Sequence, residues 1–282
     1  MPSINHHFIT CRNLEIHYTA WGAPEAPKLI MWHGLSRTGR DFDEIALSLS
    51  DHYYVICPDT PGRGLSQWSS KPEEEYVIPF YAGLALELLD KLGIDECDWL
   101  GTSMGGLIGM VMAMLPESAP RIRRMVLNDV GPEIPAPALE RIKVYANIQP
   151  EFDSIQELQA WQAQIYQPFG QNTPAFWRRM AITSSRRKSN GKLALHYDPA
   201  LTLPFRHMSG DEHLWDGWPL IQCPMLIIRG ALSDLLLPEH AERMLAENPH
   251  AQLVTFPDVG HAPTLASPAQ IQVVRDFLLG PS

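Results

Sequence analysis

The pentapeptide Gly101-Thr102-Ser103-Met104-Gly105 constrains this chain more than any other segment. It follows a short apolar run ending in Trp99-Leu100. It opens into Gly106-Leu107-Ile108-Gly109-Met110-Val111-Met112-Ala113-Met114-Leu115. A strand that turns sharply into a helix around G-x-S-x-G is a nucleophile elbow. On such a turn the serine leaves the backbone envelope with its hydroxyl exposed at the carboxyl edge of a sheet. The flanking glycines let strand and helix approach with no Cβ between them. The helix start also aims backbone N–H groups and a positive dipole end at the serine.

The rest of the chain has the rhythm that such an elbow needs. Strand candidates are Glu15 to Trp21, Lys28 to Trp32, Tyr53 to Cys57, Asp98 to Thr102, Arg124 to Asn128, Met225 to Arg229 and Ala251 to Phe256. Leu29-Ile30-Met31-Trp32 and Met225-Leu226-Ile227-Ile228 are continuous apolar runs, as strands buried on both faces of a parallel sheet must be. Helical patterns lie between them at Asp41 to Leu49, Glu75 to Leu92, Met104 to Leu115, Pro238 to Glu247 and Pro268 to Leu279. Alternation of this kind predicts an α/β fold, a mostly parallel central sheet with helices on both faces. After Val130 the rhythm breaks. Residues 132–220 contain aromatic, proline-punctuated helical stretches and no convincing strand. They read as a helical insertion between core segments 1–131 and 221–282.

The chain has 282 residues and a formal net charge of −10, which disfavours nucleic acid as a partner. The N-terminal residues carry no secretory pattern, and no apolar run is long enough to span a membrane. Cys11, Cys57, Cys97 and Cys223 are far apart and read as reduced, mostly buried thiols, in keeping with a cytoplasmic location.

A serine needs a base. His261, in the Gly/Pro-rich loop Asp258-Val259-Gly260-His261-Ala262-Pro263 after the last strand, is the candidate. The histidine needs an orienting carboxylate. Asp234, after the preceding strand, gives the order Ser103, Asp234, His261. Asp129, in Asn128-Asp129-Val130-Gly131-Pro132, also follows a strand and competes for the role; here it is read as anchoring the start of the insertion. His33-Gly34-Leu35 closes another strand and could set the Leu35 N–H opposite that of Met104 as an oxyanion hole.

Together these segments resemble the α/β-hydrolase fold superfamily, in its bacterial capped carboxylesterase-like branch. His33-Gly34 resembles the family's oxyanion motif. Asp59-Thr60-Pro61-Gly62-Arg63-Gly64-Leu65-Ser66 resembles its D-x-x-G-x-G-x-S turn, and Gly101 to Gly106 its G-x-S-M-G-G elbow. Ser233-Asp234 and Gly260-His261 resemble its acid and base loops. The resemblance implies a helical cap inserted after the sixth strand, covering the site. It implies a serine hydrolase that cleaves a small-molecule ester or lactone with no cofactor and no metal. An enol-lactonase or carbon–carbon bond hydrolase is the neighbouring alternative, followed by a cofactor-free peroxidase or acyltransferase. A non-catalytic binding protein is the alternative of another class. Serine at position 103, where halide- and epoxide-cleaving relatives carry aspartate, argues against their chemistry.

Other residues have plainer readings. His33 reads as a ring that steadies its loop, and Asp59 and Ser66 as turn chemistry. His207, Asp211, Glu212 and His213 fit no zinc spacing. The basic cluster Arg178, Arg179, Arg186, Arg187 and Lys188 reads as an exposed face balanced by acidic neighbours. Its other reading is a field that draws anionic substrates.

Overall fold

The computed structural model describes residues 4–207 and 212–280. The chain opens with a hairpin of β1 (Asn5–Cys11) and β2 (Leu14–Trp21), then runs β3 (Lys28–Trp32), α1 (Asp43–Leu49), β4 (Tyr54–Pro58), α2 (Pro72–Glu75), α3 (Ile78–Lys91) and β5 (Cys97–Thr102). There follow α4 (Met104–Met114), β6 (Ile122–Asn128), α5 (Ala136–Ala146), β7 (Glu151–Phe152), α6 (Ile155–Ile165), α7 (Pro174–Thr183), β8 (Ser185–Arg187) and β9 (Leu193–Leu195). The chain closes with β10 (Met225–Gly230), α8 (Pro238–Glu247), β11 (Ala251–Phe256) and α9 (Pro268–Leu279).

Eight strands form one sheet in the order β1-β2-β4-β3-β5-β6-β10-β11. The pairs β1/β2 and β2/β4 are antiparallel, and every pair from β4 to β11 is parallel. The apolar runs are buried as their composition requires, with Leu29, Met31 and Trp32 of β3 at 0% exposure. The Trp32 and Trp99 rings stack at 5.5 Å between centroids beneath the elbow. From β3 the chain moves outward to β4, whereas from β5 it moves the other way to β6. The carboxyl ends of β3 and β5 therefore flank a topological switch point, where open α/β sheets form their ligand crevice.

Two features depart from the sequence reading. Strand β1 was not anticipated; its hairpin turns on Arg12 and Asn13, both at positive φ (50° and 63°), as a two-residue turn demands. The segment between β6 and β10 contains a small antiparallel sheet, β7-β9-β8, where no strand was expected. Its strands are two or three residues long, too short for a periodicity signal, and β8 is Ser185-Arg186-Arg187.

Candidate active site

Ser103 sits between β5 and α4 at φ 52° and ψ −117°. The glycines around it explain how that turn fits. A Cβ on Gly105 would lie 2.0 Å from the Trp32 carbonyl oxygen, and one on Gly101 would lie 2.2 Å from the Gly105 carbonyl oxygen. The Trp99 indole donates to that same Gly105 carbonyl at 3.0 Å, pinning the first turn of α4 to the sheet.

The Ser103 hydroxyl donates to His261 Nε2 across 3.0 Å. The other ring nitrogen, Nδ1, donates to Asp129 Oδ2 across 2.8 Å. The sequence reading had placed Asp234 there, and the structure corrects it. Asp129 lies at the carboxyl end of β6 at φ 58°, which turns its side chain under the His261 loop. It is completely buried, and further donors fix it: the Gly230 amide at 2.8 Å on Oδ1 and the Ser233 hydroxyl at 2.6 Å on Oδ2. The inward-facing member of the Ser233-Asp234 pair is thus the serine. Asp234 turns away from His261 to the cavity's edge, about half exposed, and forms a two-pronged ion pair with Arg141 at 2.6 and 2.8 Å. The signal for Asp129 was present in the sequence, an aspartate just beyond a strand beside the elbow strand. It was assigned to the insertion boundary instead.

Leu35 follows β3, and Met104 is the first residue of α4, where amides have no partner within the helix. The register of β3 and β5, in which Trp32 pairs with Gly101, brings the loop after β3 beside the elbow: a Cβ on Gly34 would lie 3.6 Å from Ser103 Cβ. His33 is fully buried. Its Nδ1 donates to the Gly34 carbonyl at 2.7 Å, and its Nε2 accepts from the Thr60 amide at 2.9 Å. Burial pushes its pKa down to about 4, so the ring is neutral and serves as a strut. The turn Asp59 to Ser66 supports the same loops. Asp59 accepts from the amides of Gly39 and Leu65, and Ser66 Oγ donates to the Asp59 carbonyl.

Sequence reasoning missed Arg63. Its side chain is fully buried, with Nε donating to the Leu35 carbonyl at 2.8 Å and Nη2 lying 3.9 Å from Met104 Sδ. Nη1 reaches the Pro61 carbonyl and the Tyr81 hydroxyl, both at 2.7 Å. One guanidinium therefore ties the two elbow-facing loops together.

Ser103 and His261 open into a cavity of about 530 Å³. One wall comes from the segment between β6 and β10, through Arg141, Tyr166, Phe169, Phe176 and Met180. Among the described residues the lining includes none of Arg178, Arg179, Arg186, Arg187 and Lys188. Arg179 forks onto Glu44, Arg186 stacks over Trp68 at 4.1 Å, and Lys188 pairs with Glu151. Acidic partners hold Arg179 and Lys188, as a balanced face would have it, but Arg179 is largely buried and Arg186 lies on an aromatic ring rather than on an acid. Asp211 and the His207 side chain lie outside the described residues. Among the described residues, no group of histidine, cysteine and acidic side chains could hold a metal, and no helix is long and apolar enough to cross a membrane. All four cysteines are free thiols.

Comparison with known proteins places this geometry in context. The Alpha/beta hydrolase family matches residues 29–271. The chain is 43% identical over 273 residues to a 3-hydroxybutyrate-oligomer hydrolase of Cupriavidus necator, covering 93% of this chain and 92% of that protein. The crystal structure of an alpha/beta hydrolase from Novosphingobium aromaticivorans superposes with a TM-score of 0.89 at 30% identity, over 100% of both chains. The enol-lactonase of Burkholderia xenovorans shares the fold, with a TM-score of 0.76 at 21% identity over 97% of this chain and 100% of that one.

Proposed function

The chain belongs to the alpha/beta hydrolase family, and we propose that it hydrolyses carboxylic esters of small to medium acyl groups through an acyl-enzyme on Ser103. The observation that carries this reading is the unbroken line from Ser103 Oγ to His261 Nε2 and from His261 Nδ1 to Asp129. In this reading Ser103 Oγ attacks the ester carbonyl carbon and His261 takes the hydroxyl proton. The Leu35 and Met104 amides receive the oxyanion, each such donor being worth about 3–4 kcal/mol of barrier. Collapse expels the alcohol, which leaves with the proton from His261. Water then attacks the acyl carbon as His261 takes its proton; collapse breaks the bond from Ser103 Oγ to the acyl carbon, His261 returns the proton to Ser103, and the acid departs. Asp129 keeps the imidazole in the Nδ1–H tautomer and faces the imidazolium charge when it forms.

Residues 132–220 act in this reading as a cap on the core of residues 1–131 and 221–282, closing the cavity over the serine. The oligoester class in the name of the Cupriavidus relative falls within the proposed range, and the proposed site needs neither metal nor organic cofactor. The test is a panel of aryl esters, hydroxyacid oligoesters and lactones on wild type and Ser103→Ala. Turnover should fall by about 10⁵- to 10⁶-fold in the variant, together with loss of covalent labelling by an active-site phosphonate. Labelling without turnover of any ester would point to slow or highly selective chemistry on the same serine, and folded protein with neither labelling nor turnover would overturn the nucleophile assignment.

A further inference from the structure

One polar group in the cavity wall takes no part in the chemistry described so far. Arg37 follows the His33-Gly34-Leu35 loop, and its side chain is 7% exposed. Its Nε and Nη2 fork onto the two oxygens of Asp41 at 2.8 and 2.6 Å. The guanidinium lies 5.1 Å from the centroid of the Tyr166 ring, which reaches across from the insertion. Arg37, Asp41 and Tyr166 all line the cavity that holds Ser103, and the wall beside them is the apolar trio Phe42, Phe176 and Met180.

The group is close to the reacting atoms. A Cβ placed on Gly34 would lie 3.6 Å from Ser103 Cβ and 3.9 Å from Arg37 Cγ. The serine and the arginine stem therefore flank one open glycine face. A short acyl chain whose carbonyl meets Ser103 there extends along the same cavity wall that carries the ion pair.

Resting on the ester-hydrolase reading, we propose that Arg37, Asp41 and Tyr166 form a subsite for a hydroxyl group on the acyl chain, which makes short hydroxyacyl esters the preferred substrates. The pair is electrically neutral, and Asp41 already occupies two arginine donors. A substrate carboxylate entering there would face Asp41 directly, a like-charge contact in a low-dielectric wall. A hydroxyl is both donor and acceptor. It can donate to an unused lone pair of Asp41, whose side chain keeps 24% exposure toward the opening. It can accept from the arginine or from the Tyr166 phenol. A fully apolar acyl chain leaves the remaining lone pairs of Asp41 facing a hydrocarbon, and stripping them of water without a replacement donor is costly. The second ion pair of the cavity, Arg141 with Asp234, is about half exposed, so water satisfies it whatever binds.

The test compares kcat/KM for a 3-hydroxybutyryl, a butyryl and a succinyl ester of one aryl alcohol. Wild type should prefer the hydroxybutyryl ester over the butyryl ester by about 10- to 100-fold, and the succinyl ester should trail both. Asp41→Asn and Tyr166→Phe should shrink that ratio mainly by slowing the hydroxybutyryl ester. Two wild-type results overturn the inference without any variant: no preference for the hydroxyl, or preference for succinyl. A ratio left unchanged while both rates fall in Asp41→Asn also overturns it, since that is the mark of a loop staple. These outcomes presuppose Ser103-dependent turnover of the butyryl ester. If that turnover survives Ser103→Ala, the ester-hydrolase reading itself fails.

Discussion

Asp129 Oδ2 lies 2.8 Å from His261 Nδ1, although 132 residues separate them in sequence. Two further donors, the Gly230 amide and the Ser233 hydroxyl, hold the same carboxylate. Replacing it with asparagine would keep the shape and present an amide N–H or a weaker acceptor to the histidine, favouring the wrong tautomer. Asp129→Asn should therefore cost about 10⁴-fold in kcat against an aryl ester. Asp234→Asn should cost less than about 10-fold, because it breaks only a half-exposed ion pair with Arg141. Parallel steady-state kinetics on the two variants checks the assignment, and the reverse ranking would restore Asp234.

His33 makes the fold sensitive to acid. Burial lowers its pKa from 6.5 to about 4, so the unfolded chain binds the proton more readily. Stability contributed by the neutral ring is present above the unfolded value. It is lost as pH falls from about 6.5 toward 4, by about 3 kcal/mol at the lower end. Thermal unfolding of wild type and His33→Asn across that window checks this. The variant should be less stable at neutral pH but should show a flatter decline on acidification.

The fold was largely legible because two strong signals agree. Continuous apolar runs such as Leu29 to Trp32 mark strands buried on both faces, and G-x-S-x-G marks the strand-to-helix turn. Ser103 and His261 were legible because each sits in a glycine-rich loop directly after a strand. The acid was not, because Asp129 and Asp234 both follow strands. Only the backbone at Asp129 (φ 58°) and the inward turn of Ser233 decide between them. Arg63 was hidden for a related reason. A lone arginine in a glycine turn looks solvent-bound, and its carbonyl partners Leu35 and Pro61 leave no mark on side-chain chemistry.

Arg63 itself supplies a further prediction. Its planar fork holds the Leu35 carbonyl, and so the peptide next to the proposed oxyanion amide, while Met104 Sδ lies against the same guanidinium. Lysine keeps the charge but cannot span these partners with one rigid group. Arg63→Lys should lower kcat by about 10- to 100-fold through a small misplacement of the oxyanion loop. KM should move far less, because Arg63 is a positioning residue buried behind the loop. An equal rise in KM with kcat intact would instead place Arg63 in substrate binding.

Three glycines around the serine should respond very differently to one methyl group. On Gly105 or Gly101 it would meet backbone oxygen at 2.0 or 2.2 Å, and neither the Trp32 nor the Gly105 carbonyl can retreat without parting the strand from α4. Gly105→Ala and Gly101→Ala should each cost about 3 kcal/mol or more, at the upper end for an overpacked core. On Gly34 the nearest heavy atom would be Ser103 Cβ at 3.6 Å, an ordinary contact, so Gly34→Ala should cost less than about 1 kcal/mol. The same methyl does protrude into the face shared by Ser103 and Arg37, so Gly34→Ala should slow ester turnover while leaving the unfolding midpoint nearly in place. Denaturant unfolding read beside ester kinetics on all three variants separates the two effects. A Gly105→Ala protein as stable as wild type would mean that the elbow is not packed as tightly against β3 as these distances require.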